Sequence, residues 1–252
     1  MKIGAQLYTI REYIQTVEDV KKSFQKIADI GYQTIQVSGI GPIKPEELRD
    51  IANENGLEIV ITHINPERVL NETEQVIAEH KIFGCNRIGI GSLPERYMTD
   101  LNGYRQFVKD FSVAAKKMAE HGMKFYYHNH EFEFLHYEGT TPYDMMIRET
   151  NEDEWAFLPD TYWIQYAGRC PARQIEQLKG RTEVVHIKDM AIVDHKQVMA
   201  PIYEGNLCFD EIFEACEKAG VLYAMVEQDD CYGKNPFDEL KISFDNLKKA
   251  GF

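Results

Sequence analysis

Four short polar clusters in the second half of the chain each close an apolar run. His128-Asn129-His130 follows Phe125-Tyr126-Tyr127, and Asp160 follows Trp155-Ala156-Phe157-Leu158 after one proline. His186-Ile187-Lys188-Asp189 follows Val184-Val185, and Glu227-Gln228-Asp229 follows Tyr223-Ala224-Met225-Val226. The runs read as buried strands, and their ends carry groups that a core rejects unless they are paired or bind a cation. Imidazoles and carboxylates from four successive strand ends can converge on one metal ion. Such mixed ligation admits manganese, cobalt, iron, nickel or zinc; magnesium prefers fewer imidazoles, and calcium is disfavoured. An ion held there would act as a Lewis acid on a carbonyl or hydroxyl oxygen. It would stabilise the enediolate formed when the neighbouring C–H is deprotonated, with Glu227 a fitting base for that proton.

Each piece also has a plainer reading. A single buried histidine is more often a hydrogen-bonded core residue than a ligand, and Asp160 and Glu227 could cap helices that follow them. The stretch from His186 to Asp189 could be a strand end with a solvated turn. Convergence is what separates the two readings, because four independent strand ends would otherwise share ligand-type residues by coincidence. His63, after Ile59-Val60-Ile61, is expected at the mouth of the third strand as a substrate contact. Tyr162 and Tyr166 read as packing, whereas Trp163 can wall a sugar pocket through its ring face. His80, His121, His136 and His195 read as surface or turn residues without a role.

Convergence needs a frame. Strand-like runs end near residues 8, 37, 62, 90, 128, 160, 187 and 227. Helix signals lie between most of them: Thr16 to Gly31, Pro45 to Gly56, Asn71 to Gly84, Asp100 to Gly122, Thr141-Pro142 to Glu149, Asp210 to Gly220, and Pro236 to Gly251. The first has a capping hydroxyl, apolar Val20, Phe24, Ile27 and Ala28 at helical spacing, and a glycine stop. Eight alternating units without a Gly-rich phosphate loop predict a (β/α)8 TIM barrel, an α/β fold, as one domain over residues 1–252. In such a barrel every strand's C-terminal end opens on one face. His128 and His130 should then point the same way, as should His186 and Lys188. Pro159 cannot donate to a sheet ladder and is expected where its strand stops pairing, which turns Asp160 to the barrel mouth.

Composition narrows the partners. With 41 acidic against 28 basic residues the net charge is −13, which opposes nucleic acid and anionic membrane surfaces. The five cysteines are odd in number and contain no Cys-x-x-Cys pair, as expected of reduced thiols in a cytoplasm. No run of about 18 apolar residues is present, so no membrane span is expected. A small-molecule substrate fits better than a polymer. A homodimer is compatible with such a barrel, though no face is singled out.

Several motifs resemble the sugar phosphate isomerase/epimerase family of xylose isomerase-like TIM barrels, a group that includes inosose dehydratase and hexulose epimerases. They are Gln6-Leu7-Tyr8-Thr9-Ile10-Arg11, Tyr127-His128-Asn129-His130, Asp160-Thr161-Tyr162-Trp163 with Gln165 and Gly168, His186-Ile187-Lys188-Asp189, Glu204-Gly205-Asn206 and Val226-Glu227-Gln228-Asp229. The resemblance implies one divalent metal, often manganese, held by His128, Asp160, His186 and Glu227. It places Lys188 near substrate oxygens and His130 close to the reacting carbon. Many epimerases of this family have glutamate where this chain has His128, so their two-glutamate mechanism does not carry over directly. Glu133, or Glu131, could supply a replacement carboxylate. The implied activity is isomerisation or epimerisation of a sugar, keto-sugar or sugar phosphate. The alternative is a lyase or dehydratase acting on a keto-sugar or keto-inositol at the same site.

Overall fold

The computed structural model covers Met1–Phe252. Seven parallel strands follow one another: β1 (Lys2–Gln6), β2 (Thr34–Val37), β3 (Glu58–His63), β4 (Arg87–Ile90), β5 (Lys124–His128), β6 (Trp155–Leu158) and β7 (Val184–Ile187). A separate antiparallel hairpin, β8 (Asp189–Val193) and β9 (Lys196–Ala200), precedes the eighth parallel strand, β10 (Tyr223–Val226). In space the strands lie in the order β6-β5-β4-β3-β2-β1-β10-β7. The barrel is nearly closed between β7 and β6, where the backbone N–H of His186 donates to the carbonyl of Pro159 at 2.9 Å. Pro159 thus ends β6 as its missing N–H requires, while its carbonyl still serves the seam.

The connections are helical: α1 (Val17–Ile30), α2 (Pro45–Glu54), α3 (Pro66–Asn71), α4 (Thr73–Phe83), α5 (Leu101–Glu120), α6 (Pro142–Glu149), α7 (Thr161–Tyr166), α8 (Pro171–Gln177), α9 (Phe209–Ala219) and α10 (Pro236–Lys249). Helix α1 starts where Thr16 Oγ1 accepts from Asp19 N (3.2 Å) and stops at Gly31, whose φ is +119°. A Cβ on Gly31 would also lie 2.6 Å from the Phe244 ring of α10, so glycine serves both the turn and the packing. The helices cover the strands' outer faces with apolar side chains. Trp155 meets Phe125 and Phe107 edge-on, with centroids 4.7 and 5.8 Å apart, and truncating such a buried aromatic to alanine costs about 3–5 kcal/mol. Inside the barrel a small cluster including Val60, Tyr126, Val184 and Met225 fills the lower layers.

The structure departs from the sequence-based expectations in four places. The first strand ends at Gln6, and Leu7–Tyr13 forms a 3-10 helix capped by the Gln6 side chain. The helix expected from Asn71 begins at Thr73, because Asn65 caps a separate short helix, α3, at Glu67 N (2.9 Å). The segment from Thr161 to Gln177 forms α7 and α8, whose short lengths leave little helical periodicity to detect. Finally, the stretch after His186 is not a solvated turn. Lys188 and Asp189 are buried, and Asp189 starts the hairpin, its carboxylate accepting from the backbone of Met190, Gly205 and Leu207. The Glu204-Gly205-Asn206 motif is therefore part of a clasp around the hairpin base.

Candidate metal centre

Four side chains meet at the C-terminal mouth of the barrel. One donor atom each from His128, Asp160, His186 and Glu227 lies within 4.8 Å of all the others, and all four residues are buried. His128 ends β5, His186 lies within β7, and Asp160 and Glu227 stand just beyond β6 and β10. Asp160 Oδ2 is 3.1 Å from His128 Nε2 and 3.6 Å from His186 Nδ1, and Glu227 Oε2 is 2.9 Å from His186 Nδ1.

The atoms facing away from this cluster are engaged. His128 Nδ1 lies 3.0 Å from the Gly91 carbonyl, which can only accept, so Nδ1 is turned outward to that partner while Nε2 faces Asp160 Oδ2 at 3.1 Å. His186 Nε2 donates to Gln36 Oε1 at 2.7 Å, which frees Nδ1. Asp160 Oδ1 caps α7 at Trp163 N (3.1 Å), and Glu227 Oε1 accepts from Gln6 Nε2 (2.5 Å). Capping and ligation are thus compatible in Asp160, each using its own oxygen. His186 Nδ1 and Glu227 Oε2 are buried facing each other, and the Lys188 ammonium is 3.2 Å from the latter. Imidazole nitrogens turned inward with their other nitrogens fixed, together with inward-facing carboxylate oxygens, are the donor set of a divalent-cation site. The residues present fit a metal.

The electrostatics agree. Burial raises the Asp160 carboxyl, but the Lys188 ammonium and the two imidazoles outweigh it and hold the group well below the usual carboxylate range. Glu227 is likewise held below its usual value, mainly by Lys188 and His186 against burial. Burial lowers the His186 imidazole, yet Glu227 and Asp160 overcome it and raise the group. The centre is a field that favours positive charge.

A cavity of about 550 Å3 opens above it, lined by Tyr8, His63, His130, Lys188, Glu227 and Asp229 among others. His63 therefore reaches the mouth as expected, with its Nε2 buried and unpartnered. His128 and His130 share this wall, their centroids 4.9 Å apart. His130 Nδ1 has no partner, and burial followed by His128 and Lys188 pushes the ring down to about 3, so it is neutral. Trp163 lies beside His130 at 5.1 Å between centroids, and the Lys188 ammonium stands 5.4 Å from its ring.

Glu133 is not brought to the cavity. Its carboxylate is fully buried behind the wall, accepting from Tyr127 Oη (2.6 Å) and from His130 N (2.8 Å), and burial pushes it up to about 8. His80 is also placed differently from the sequence reading: it is buried in α4, bonded to Thr62 Oγ1 (2.8 Å) and the Val76 carbonyl (2.7 Å). Arg169 pairs with Asp144 away from the cluster (2.8 Å), and Arg11 Nη1 donates to the Tyr8 and Asp229 carbonyls. Sequence reasoning missed Gln6 and Gln36. Both are buried amides at strand ends, the same positional signal as the ligands, but without a charge to draw notice.

A model of the family described as xylose isomerase-like TIM barrel matches residues 24–250. No protein of curated function matches the sequence significantly. Among solved structures, a sugar phosphate isomerase/epimerase from Parabacteroides distasonis ATCC 8503 is 22% identical, with a TM-score of 0.85 over 99% of this chain and 94% of that one. The probable 3-DHS dehydratase AsbF from Bacillus anthracis is 17% identical, with a TM-score of 0.76 over 98% and 99%. D-psicose 3-epimerase from Clostridium cellulolyticum H10 is 15% identical, with a TM-score of 0.74 over 99% of both chains. At these identities the likeness is one of fold.

Proposed function

The chain belongs to the xylose isomerase-like TIM barrel family, and from that premise we propose that it is a metal-dependent isomerase or epimerase of a keto-sugar or related small carbohydrate. One observation carries the reading: four buried donor atoms from four strand ends lie within 4.8 Å of one another, with the outward nitrogen of each imidazole already engaged. Isomerase and epimerase structures share the fold, so proton transfer beside a carbonyl is among the chemistries this scaffold is known to carry.

A divalent ion held by His128, Asp160, His186 and Glu227, manganese first among the candidates, would polarise a substrate oxygen and acidify the neighbouring C–H. Glu227 is the base, kept ionised by Lys188 and His186 against its burial. It takes the proton from the carbon beside the carbonyl, and the electron pair passes into the enediolate. The Lys188 ammonium, in the cavity wall, stabilises the negative charge that develops on the substrate oxygens. His130 offers a neutral imidazole, which can donate one hydrogen bond and relay a proton between adjacent oxygens. Isomerisation then needs only Glu227 to return its proton to the next carbon. Epimerisation needs a second proton source, and the neutral His130 serves it by relaying a proton from a substrate hydroxyl or solvent, taking one up as it gives one away. Glu133 positions His130 through its backbone N–H, while His63 and Trp163 contact substrate.

A second reading is elimination from a keto-sugar or keto-inositol. It is favoured by the imidazole of His128 standing where many epimerases of the family have a glutamate, and a dehydratase structure shares the fold. His130 would then assist departure of the leaving hydroxyl.

Manganese-loaded protein incubated in D2O with a panel of ketohexoses and keto-inositols separates these readings. Deuterium exchange beside the carbonyl with conversion to an isomer of equal mass supports the first. Loss of the mass of water with new ultraviolet absorption supports the second. Full turnover in a Glu227→Gln variant would sink both.

A further inference from the structure

One cation already stands inside this centre. Lys188 Nζ lies 3.3 Å from Asp160 Oδ2, 3.2 Å from Glu227 Oε2 and 2.6 Å from Asp229 Oδ2, on a side chain 1% exposed. The second oxygen of each ligand carboxylate is taken, Asp160 Oδ1 by Trp163 N and Glu227 Oε1 by the Gln6 amide. Asp160 Oδ2 and Glu227 Oε2 are therefore the oxygens these residues can offer a metal, and the ammonium draws on both. Like charges a few ångström apart in a buried site repel strongly, so the ammonium and a divalent ion cannot hold the same two oxygens equally.

Asp229 differs from the other two carboxylates. It is outside the four-residue cluster, it lines the cavity, and it makes the shortest contact to the ammonium. Three carboxylates face one ammonium, more acceptors than a single cation holds equally.

Building on the metal reading above, we propose that Lys188 and Asp229 together set the affinity of the cation site. The ammonium competes with the ion for Asp160 Oδ2 and Glu227 Oε2, and Asp229 draws it aside so that the ion can enter. Lys188→Met removes the competitor and leaves the carboxylates without a counterion until an ion arrives. Asp229→Asn keeps the shape of the side chain but removes the charge that holds the ammonium away, so the ammonium settles on the ligand oxygens.

The test is calorimetric titration of chelator-stripped full-length protein and both variants with manganese(II) chloride, with circular dichroism to confirm folding. The dissociation constant should fall by about tenfold or more in Lys188→Met and rise by about tenfold or more in Asp229→Asn. Metal-free Lys188→Met should melt below the metal-free parent, and saturating manganese should raise its Tm by more than it raises the parent's. Unchanged or weaker binding by Lys188→Met, or parent-like binding by Asp229→Asn, overturns the proposal. A parent protein that takes up no manganese overturns the metal reading with it, whereas equal affinities in all three proteins overturn this inference alone.

Discussion

The two halves of the barrel mouth are built from different chemistry. Strands β5, β6, β7 and β10 end in the charged or ligating groups His128, Asp160, His186 and Glu227. Strands β1, β2 and β4 supply neutral groups that hold those side chains: the Gln6 amide on Glu227, the Gln36 amide on His186, and the Gly91 carbonyl on His128. Donor atoms come from one arc and their orientation from the other. The lesson is that a metal site spread around a barrel divides into residues that bind and residues that choose the tautomer and rotamer in which binding occurs.

The sharpest way to break this comparison is to strike each arc in turn. On the ligand arc, Glu227→Gln removes the base as well as a donor, and turnover of the responsive sugar should drop by roughly 10^2–10^4 or more, measured as kcat on metal-saturated protein. On the buttress arc, Gln36→Leu leaves all four donors in place and frees the His186 ring. Manganese affinity should weaken by roughly 10- to 100-fold in a direct binding titration, with the circular dichroism spectrum unchanged. A kcat on metal-saturated Gln36→Leu as low as that of Glu227→Gln would erase the distinction between the arcs.

A smaller effect is expected behind the wall, at Glu133. Burial raises its folded-state value to about 8 from an ordinary 4.5, so the folded protein holds a proton there that the unfolded chain has released. That contribution to stability is fully present below the unfolded value and is lost as pH rises toward about 8. Glu133→Gln, which resembles the protonated acid, should therefore gain Tm relative to the parent on the alkaline side and lose the pH dependence. Thermal melts at acidic and mildly alkaline pH would show it.

How much of this could be read from the chain differs between the same two arcs. The ligand residues stand out because an imidazole or carboxylate after Phe125-Tyr126-Tyr127 or Tyr223-Ala224-Met225-Val226 contradicts its apolar neighbours. Strand ends and most helices were legible for a similar reason, since Thr16 and Gly31 or Pro45 punctuate periodic runs. Gln6 and Gln36 were not legible. An uncharged amide at a strand end is ordinary, and only the fold shows that each meets a ligand from a distant strand. The hairpin of β8 and β9 was hidden too. Its faces depend on the clasp between Asp189 and the backbone at Gly205 and Leu207, a contact across the intervening hairpin. Glu133 was placed in the site from sequence proximity to His130, but the chain turns after Asn129 and carries the carboxylate behind the wall toward Tyr127.

The central claim is that four strand ends hold one divalent ion. Elemental analysis of protein purified without added metal or chelator, and again after incubation with excess manganese and desalting, tests it directly beside an Asp160→Asn, Glu227→Gln double variant. The account predicts about one equivalent of a divalent transition metal per chain in the parent and none in the folded double variant. No retained metal in the parent after loading, or equal retention in both proteins, would contradict it.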